Sequence, residues 1–100
     1  MKNPRQLRDP VSILTAARDR IANGFVKNRL YQKRKNGMAF CSLGAIRSVS
    51  RSYEHEHKAS EALRLYGLNG LCVVRFNDDP MTRKRDVVRA FNKTIKALTA

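Results

Sequence analysis

The chain of 100 residues is long enough for one domain with a modest core, and 42% hydrophobic with 29% charged residues excludes a disordered composition. No apolar run approaches the roughly 18 residues of a membrane span, and MKNPRQLRDP has no apolar stretch behind its basic residues to form a signal peptide, so a cytoplasmic protein is expected. Twenty-one Lys and Arg against eight Asp and Glu leave a net charge of +13, a field of one sign that draws polyanions.

Residues 1–8 read as a flexible basic arm ahead of one helical domain, 9–100. Asp9 supplies an acceptor for the free amides of a first helical turn, and Pro10 suits the first helical position. Leu14, Ala17 and Ile21, widened by Ile13 and Ala16, give that helix its apolar face. Asn23-Gly24 is expected to end it through a left-handed glycine. The stretch KNRLYQKRKNG, 27–37, reads as a basic connection closed by an Asn36-Gly37 turn.

A second helix is expected from Ser42 to about Tyr53, on the spacing of Leu43, Ile46 and Val49. Gly44 inside it costs about 1 kcal/mol against Ala, which close approach of a neighbouring helix would explain. Glu54-His55-Glu56-His57 reads as a charged break before a third helix from about Lys58 to Tyr66, ended by Gly67. The run LCVVRF is short enough for strand or helical turn, and helix is the preferred reading. Asn77-Asp78-Asp79-Pro80 is a turn that leads into the last helix, with Thr82 as its N-cap and residues 83–98 as its body. The sum is an all-α single domain, a compact orthogonal bundle of four to five helices.

Two basic features stand out. No acid occurs between Asp19 and Glu54, a window that holds Lys27, Arg29, Lys33, Arg34 and Lys35. These can grip phosphates while Tyr31 stacks on an unpaired base; the bland alternative, preferred for Tyr31, tucks its ring into the core. On the last helix, Arg85, Arg89, Lys93 and Lys96 recur at spacings of four, four and three and make one stripe. Arg83, Lys84 and Arg85 occupy a first turn where the helix dipole favours acids, which points to an anion there, unless Asp78, Asp79 and Asp86 neutralise the turn.

Three further elements carry a resemblance. Phe40-Cys41-x-x-Gly44-Ala45, then Phe76-Asn77-Asp78, then Thr82 leading into Asp86-Val87-Val88, resemble a family of small helical domains of unknown function that occur in actinobacteria and phages. The resemblance spans about 13–98 and implies an all-helical domain of phage or mobile-element type, with no activity attached. Phe76 stands where that family more often has Trp. The cluster 83–85 stands where it tends to carry acids, so the basic turn is particular to this chain.

Catalysis is not expected. Cys41 at a helix start could be an activated nucleophile, but nothing places His55 or His57 beside it, and its neighbours Phe40 and Leu43 read as packing. His55-x-His57 does not share a helix face, and Cys72 has no metal-ligand spacing to Cys41, so neither metal nor cofactor is expected. Cys41, Gly44, Asn77, Asp78 and Thr82 are assigned structural roles. The expected partner is nucleic acid held through phosphates; the alternative is an acidic host protein that this module docks on and inhibits or redirects.

Overall fold

A computed structural model describes residues 7–100; the expected basic arm falls largely in residues 1–6, outside that range. At its end Leu7 pairs with Ser50 as an isolated bridge, and its carbonyl accepts from the Arg51 amide at 2.8 Å.

Helix α1, Pro10–Asn23, starts where the sequence says it should: the Asp9 carboxylate accepts from the Ser12 amide at 3.0 Å. Ile13, Leu14, Ala17 and Ile21 are fully buried. Gly24 does end the helix, but in extended backbone at φ 175°, not in the left-handed region. Its carbonyl accepts from the Phe40 amide at 2.9 Å, and a side chain on it would meet Met38 and Ala39 at 3.0–3.3 Å. The glycine is there to let a strand pass.

That strand corrects the all-α expectation. Residues 27–37 are not a plain loop: β1, Tyr31–Arg34, and β2, Gly37–Phe40, form an antiparallel hairpin in the register Tyr31↔Phe40 to Arg34↔Gly37. Asn36-Gly37 is the turn the sequence announces, with Gly37 at φ 135°. The hairpin is fixed at its base by the Cys41 amide, which donates to the Leu30 carbonyl at 3.0 Å.

Helix α2, Ser42–Val49, is shorter than expected, and the charged break is misplaced. Ser50 ends α2, its hydroxyl turned back to the Ile46 carbonyl at 2.6 Å. Ser52 then caps α3, Tyr53–Ala62, so Glu54, His55, Glu56 and His57 are its opening turns, where acids complement the helix dipole. Glu56 is buried and takes a two-point ion pair from Arg47, at 3.0 and 3.2 Å. The link between α2 and α3 is therefore Ser50-Arg51-Ser52, and the acids lie on α3 itself. Helix α3 runs on into a π-helical turn, Leu63–Gly67, in which the Leu68 amide reaches the Leu63 carbonyl at 3.1 Å. Gly67 lets this turn pack closely against the segment 90–94, because a β-carbon there would lie 2.5 Å from the Ala90 carbonyl oxygen.

The VVRF part of LCVVRF is helical, as α4, Val73–Asp78, with Cys72 as its N-cap in extended backbone. The last helix, α5, is Lys84–Thr99. Its N-cap is Arg83 and not Thr82, because the Asp86 carboxylate turns back to accept the Arg83 amide at 2.9 Å; Thr82 is buried one residue earlier. The described chain is thus five α-helices, a π-helical turn and a two-stranded sheet, closed over one core that runs from Ile13 and Leu14 through Ile46 and Leu63 to Phe91. Helix α1 lies in the middle: Arg18 reaches Asn92 on α5 and Arg20 reaches Ser48 on α2, two residues about 200° apart around the helix. No helix among the described residues is long and apolar enough to cross a membrane.

Candidate nucleic-acid interface

The hairpin turns the basic stretch into a surface with two faces. Strand alternation puts Tyr31 and Lys33 on one face with their partners Phe40 and Met38, and Gln32 and Arg34 on the other. Tyr31 is not tucked into the core; its residue is 60% exposed, which corrects the preferred sequence reading. Lys33 and Lys35 are exposed near the tip. Arg34 bends back to the Phe25 carbonyl at 2.9 Å, and Lys27 is taken up by the Asp79 carbonyl. Arg29 is exposed in the connection leading to β1.

Beneath the Tyr31 face, between hairpin, α1 and α2, lies an open groove of about 600 Å³. Its apolar surfaces are Leu30, Tyr31, Met38 and Phe40, and its charges are Arg20 and Arg47. Both arginines are held in place. The Arg20 guanidinium lies over the Phe40 ring, 5.4 Å from its centroid, and donates to the Ser48 hydroxyl at 3.3 Å. Arg47 spends Nε and Nη2 on Glu56 and keeps its side chain 50% exposed. Both lie in the stretch between Asp19 and Glu54 that has no acid, but they come from different helices and no spacing in the sequence links them.

The second basic surface is separate. Arg85, Arg89, Lys93 and Lys96 are all exposed on α5, as the spacing predicts. Arg89 and Lys93 border a depression with Gly67, Leu71 and Phe76, which belongs to the α4 side of the molecule. The start of α5 meets the C-terminal end of α1: the Lys84 ammonium donates to the Ala22 carbonyl at 3.1 Å. That contact accounts for part of the unusual first turn. A cation that opposes the dipole of α5 complements the C-terminal end of α1. Asp86 meets the Arg83 amide, so a carboxylate already sits in this turn. Arg83 and Arg85 remain exposed. Among the described residues the ion pairs use Arg18, Arg47, Lys58 and Arg64, so none of the residues predicted to bind anions is spent on one.

The residues assigned structural roles have definite partners. Asn77 is buried; its Oδ1 accepts from the Ser42 amide at 2.8 Å and hydroxyl at 2.7 Å, and its Nδ2 donates to the Val26 carbonyl at 3.2 Å. Asp78 accepts from the Asn28 amide at 2.8 Å, where Asn28 stands at φ 64°. The pair therefore ties α4 back to the start of α2 and the 26–28 segment, and does not shape the turn into α5. A β-carbon on Gly44 would overlap the Leu30 carbonyl, so the close approach is by the chain entering β1 and not by a helix. Cys41 is the N-cap of α2, its Sγ accepting from the Gly44 amide at 3.2 Å. Burial pushes the Cys41 thiol above its ordinary value, with the Gly44 amide offsetting part of the rise. No group of three or more His, Cys, Asp or Glu able to hold a metal ion occurs among the described residues.

A family model for a family of unknown function matches residues 6–97, every element except the tip of α5. The chain belongs to DUF6197. No curated protein and no solved structure matches this DUF6197 chain. Membership fixes the extent of the DUF6197 domain and carries no activity with it.

Proposed function

We propose that this protein binds nucleic acid through phosphate contacts, with little regard to sequence and without catalysing a reaction. The observation that carries the reading is the hairpin. It leaves Lys33 and Lys35 exposed and outside every ion pair among the described residues, and it pairs Lys33 across the strands with Met38, which lines the groove that holds Arg20 and Arg47. Cations left unpaired near one another recruit phosphates, and release of the displaced counterions drives the association. The exposed stripe Arg85, Arg89, Lys93 and Lys96 is a second contact on the far side of α1. Helix α3 is not proposed as a reading head, since Glu54 and Glu61 on its outer surface repel phosphate. A phage or mobile-element setting, implied by the motif resemblance, belongs to the same proposal.

The test is a titration of labelled random-sequence DNA and RNA at several salt concentrations. With about five phosphates of duplex DNA neutralised, log K falls against log salt with a slope near −4.5. Replacing Lys33, Arg34 and Lys35 by Gln removes up to about three units of that slope and weakens all sequences alike. Absence of binding even at low salt overturns the reading.

A second reading has one observation in its favour. The depression beside Arg89 and Lys93 mixes those charges with Leu71, which is 59% exposed. Apolar surface with two cations and one carboxylate, Asp86, on its border suits a protein partner whose contact face is mainly acidic, and a module docking there would inhibit or redirect its host target. Binding of that kind tolerates excess competitor DNA and responds less steeply to salt.

A further inference from the structure

The groove under the hairpin has a chemistry that phosphate binding alone does not call for. A surface that grips only the backbone of a duplex needs cations on a convex or shallow face. Here the cations stand inside a recess whose other surfaces are aromatic and aliphatic: Tyr31, Phe40, Met38 and Leu30. Its volume, about 600 Å³, falls within the roughly 300–1,000 Å³ typical of sites for organic ligands. Resting on the nucleic-acid reading above, we infer that this groove takes an unpaired nucleotide of a single strand, with the base on the Tyr31 ring and its phosphate between Arg20 and Arg47.

Three features support the assignment. Tyr31 is 60% exposed at the base of the hairpin, opposite Phe40 and on the same strand face as Lys33, so its ring is open to a ligand. A flat ring at the rim of a cationic recess is the arrangement on which unpaired bases stack, irrespective of their identity. The arginines are oriented before any ligand arrives, Arg20 by the Phe40 ring and the Ser48 hydroxyl, Arg47 by Glu56. Each keeps donors without a partner among the described residues: Nε and Nη2 of Arg20, and Nη1 of Arg47. The walls do not collapse onto the space, because the hairpin base is fixed to α1 through Gly24 and Phe40 and to α2 through Leu30 and Cys41. A base in a duplex is stacked on both faces by its neighbours and cannot enter. The groove therefore selects strands by pairing state and not by sequence.

The experiment compares three probes on the full chain: a labelled oligothymidylate, the same strand in duplex with oligoadenylate, and thymidine monophosphate. Tyr31→Ala is expected to weaken the single strand by about 5- to 150-fold and leave the duplex unchanged, as loss of one base–aromatic stack requires. Tyr31→Phe keeps the platform and restores single-strand affinity. Tyr31 is exposed, so its replacement leaves the core intact, and circular dichroism verifies this. The chain has three tyrosines and no tryptophan. In a Tyr53→Phe, Tyr66→Phe background, emission comes from Tyr31 alone, and single strand but not duplex quenches it. Equal binding of strand and duplex, with Tyr31→Ala silent, overturns the groove assignment and leaves the phosphate reading standing. Failure of both probes to bind at low salt removes both readings. Monophosphate binding as tight as the strand overturns the single-strand assignment in favour of a free-nucleotide pocket.

Discussion

Cys41 shows how a residue with reactive chemistry can be put to structural use. Its sulfur accepts the Gly44 amide at the start of α2, a place usually filled by Ser, Thr, Asp or Asn. Burial raises its pKa, so the thiolate that would attack a reagent is scarce at neutral pH. In a Cys72→Ser background, native Cys41 is expected to label slowly and to stay slow as pH rises past the ordinary thiol range near 8.5, while denaturation makes labelling fast. The direction follows from the shift: a raised pKa delays ionisation to higher pH. Fast native labelling at neutral pH refutes this. Cys41→Ala loses packing and the cap together and costs about 1–2 kcal/mol by denaturant unfolding. Asn77 works in the same way on a larger span. Removing its amide leaves the Ser42 amide and hydroxyl and the Val26 carbonyl without a partner in a buried place. Asn77→Ala is expected to cost about 1–3 kcal/mol, read from the urea midpoint, with m unchanged.

Among the elements, the hairpin depends on a glycine outside it. Because Gly44 lets the Leu30 carbonyl sit against α2, Gly44→Ala must push the chain entering β1 away from the bundle. Overpacking against backbone costs about 1–3 kcal/mol or more, and chemical shifts from Leu30 to Phe40 should move while those of α5 stay. What the sequence made legible follows from where each element takes its instructions. Helix α1 carries its own cap, its own proline and its own apolar stripe, and α5 its stripe and Asp86, so both are readable locally. The hairpin is not, because Tyr31-Gln32-Lys33-Arg34 shows no apolar alternation; the strand forms because β2 is held by Gly24 and Leu30 next to it. The end of α2 is equally hidden: no glycine or proline marks it, and the Arg51 amide finds its acceptor on Leu7, far away in the chain. The basic residues of the candidate site were visible as composition. The groove was not, since Arg20 and Arg47 meet only after α1 and α2 pack.

For the whole molecule, the position of α1 divides the charge. The hairpin cations sit beside the α1–α2 groove and the stripe sits on α5, and the contacts of α1 with α2 and α5 leave it about 200° apart, so the two groups count as separate contacts. Contributions from well-separated sites add. Replacing Lys33, Arg34 and Lys35 by Gln, and separately Arg89, Lys93 and Lys96 by Gln, should lower the salt slope by amounts that sum in the sixfold variant. The hairpin set is expected to account for the larger share. A sixfold variant no weaker than the hairpin variant would limit contact to one face. Exchanging Arg83 and Arg85 for Glu favours α5 by about 0.3–1 kcal/mol each through the dipole, whereas Lys84→Glu loses the contact to Ala22 and cancels that gain. Thermal unfolding of the three single variants should show a raised midpoint for Arg83→Glu and Arg85→Glu and an unchanged one for Lys84→Glu.

The central place of α1 also bears on how the chain is made. Translation delivers α1 well before α5, yet Ile13 and Leu14 of the one share a core with Phe91 of the other. While the chain is still emerging from the ribosome, the hairpin, α2 and α3 can cover one side of α1, but the other stays open to solvent until Lys84–Thr99 has cleared the exit tunnel. Until then a nascent chain exposes apolar surface within a strongly basic segment, beside a ribosome made of polyanion. A stalled chain that ends before Lys84 should therefore remain protease-sensitive, and a longer one in which Lys84–Thr99 has emerged should be protected.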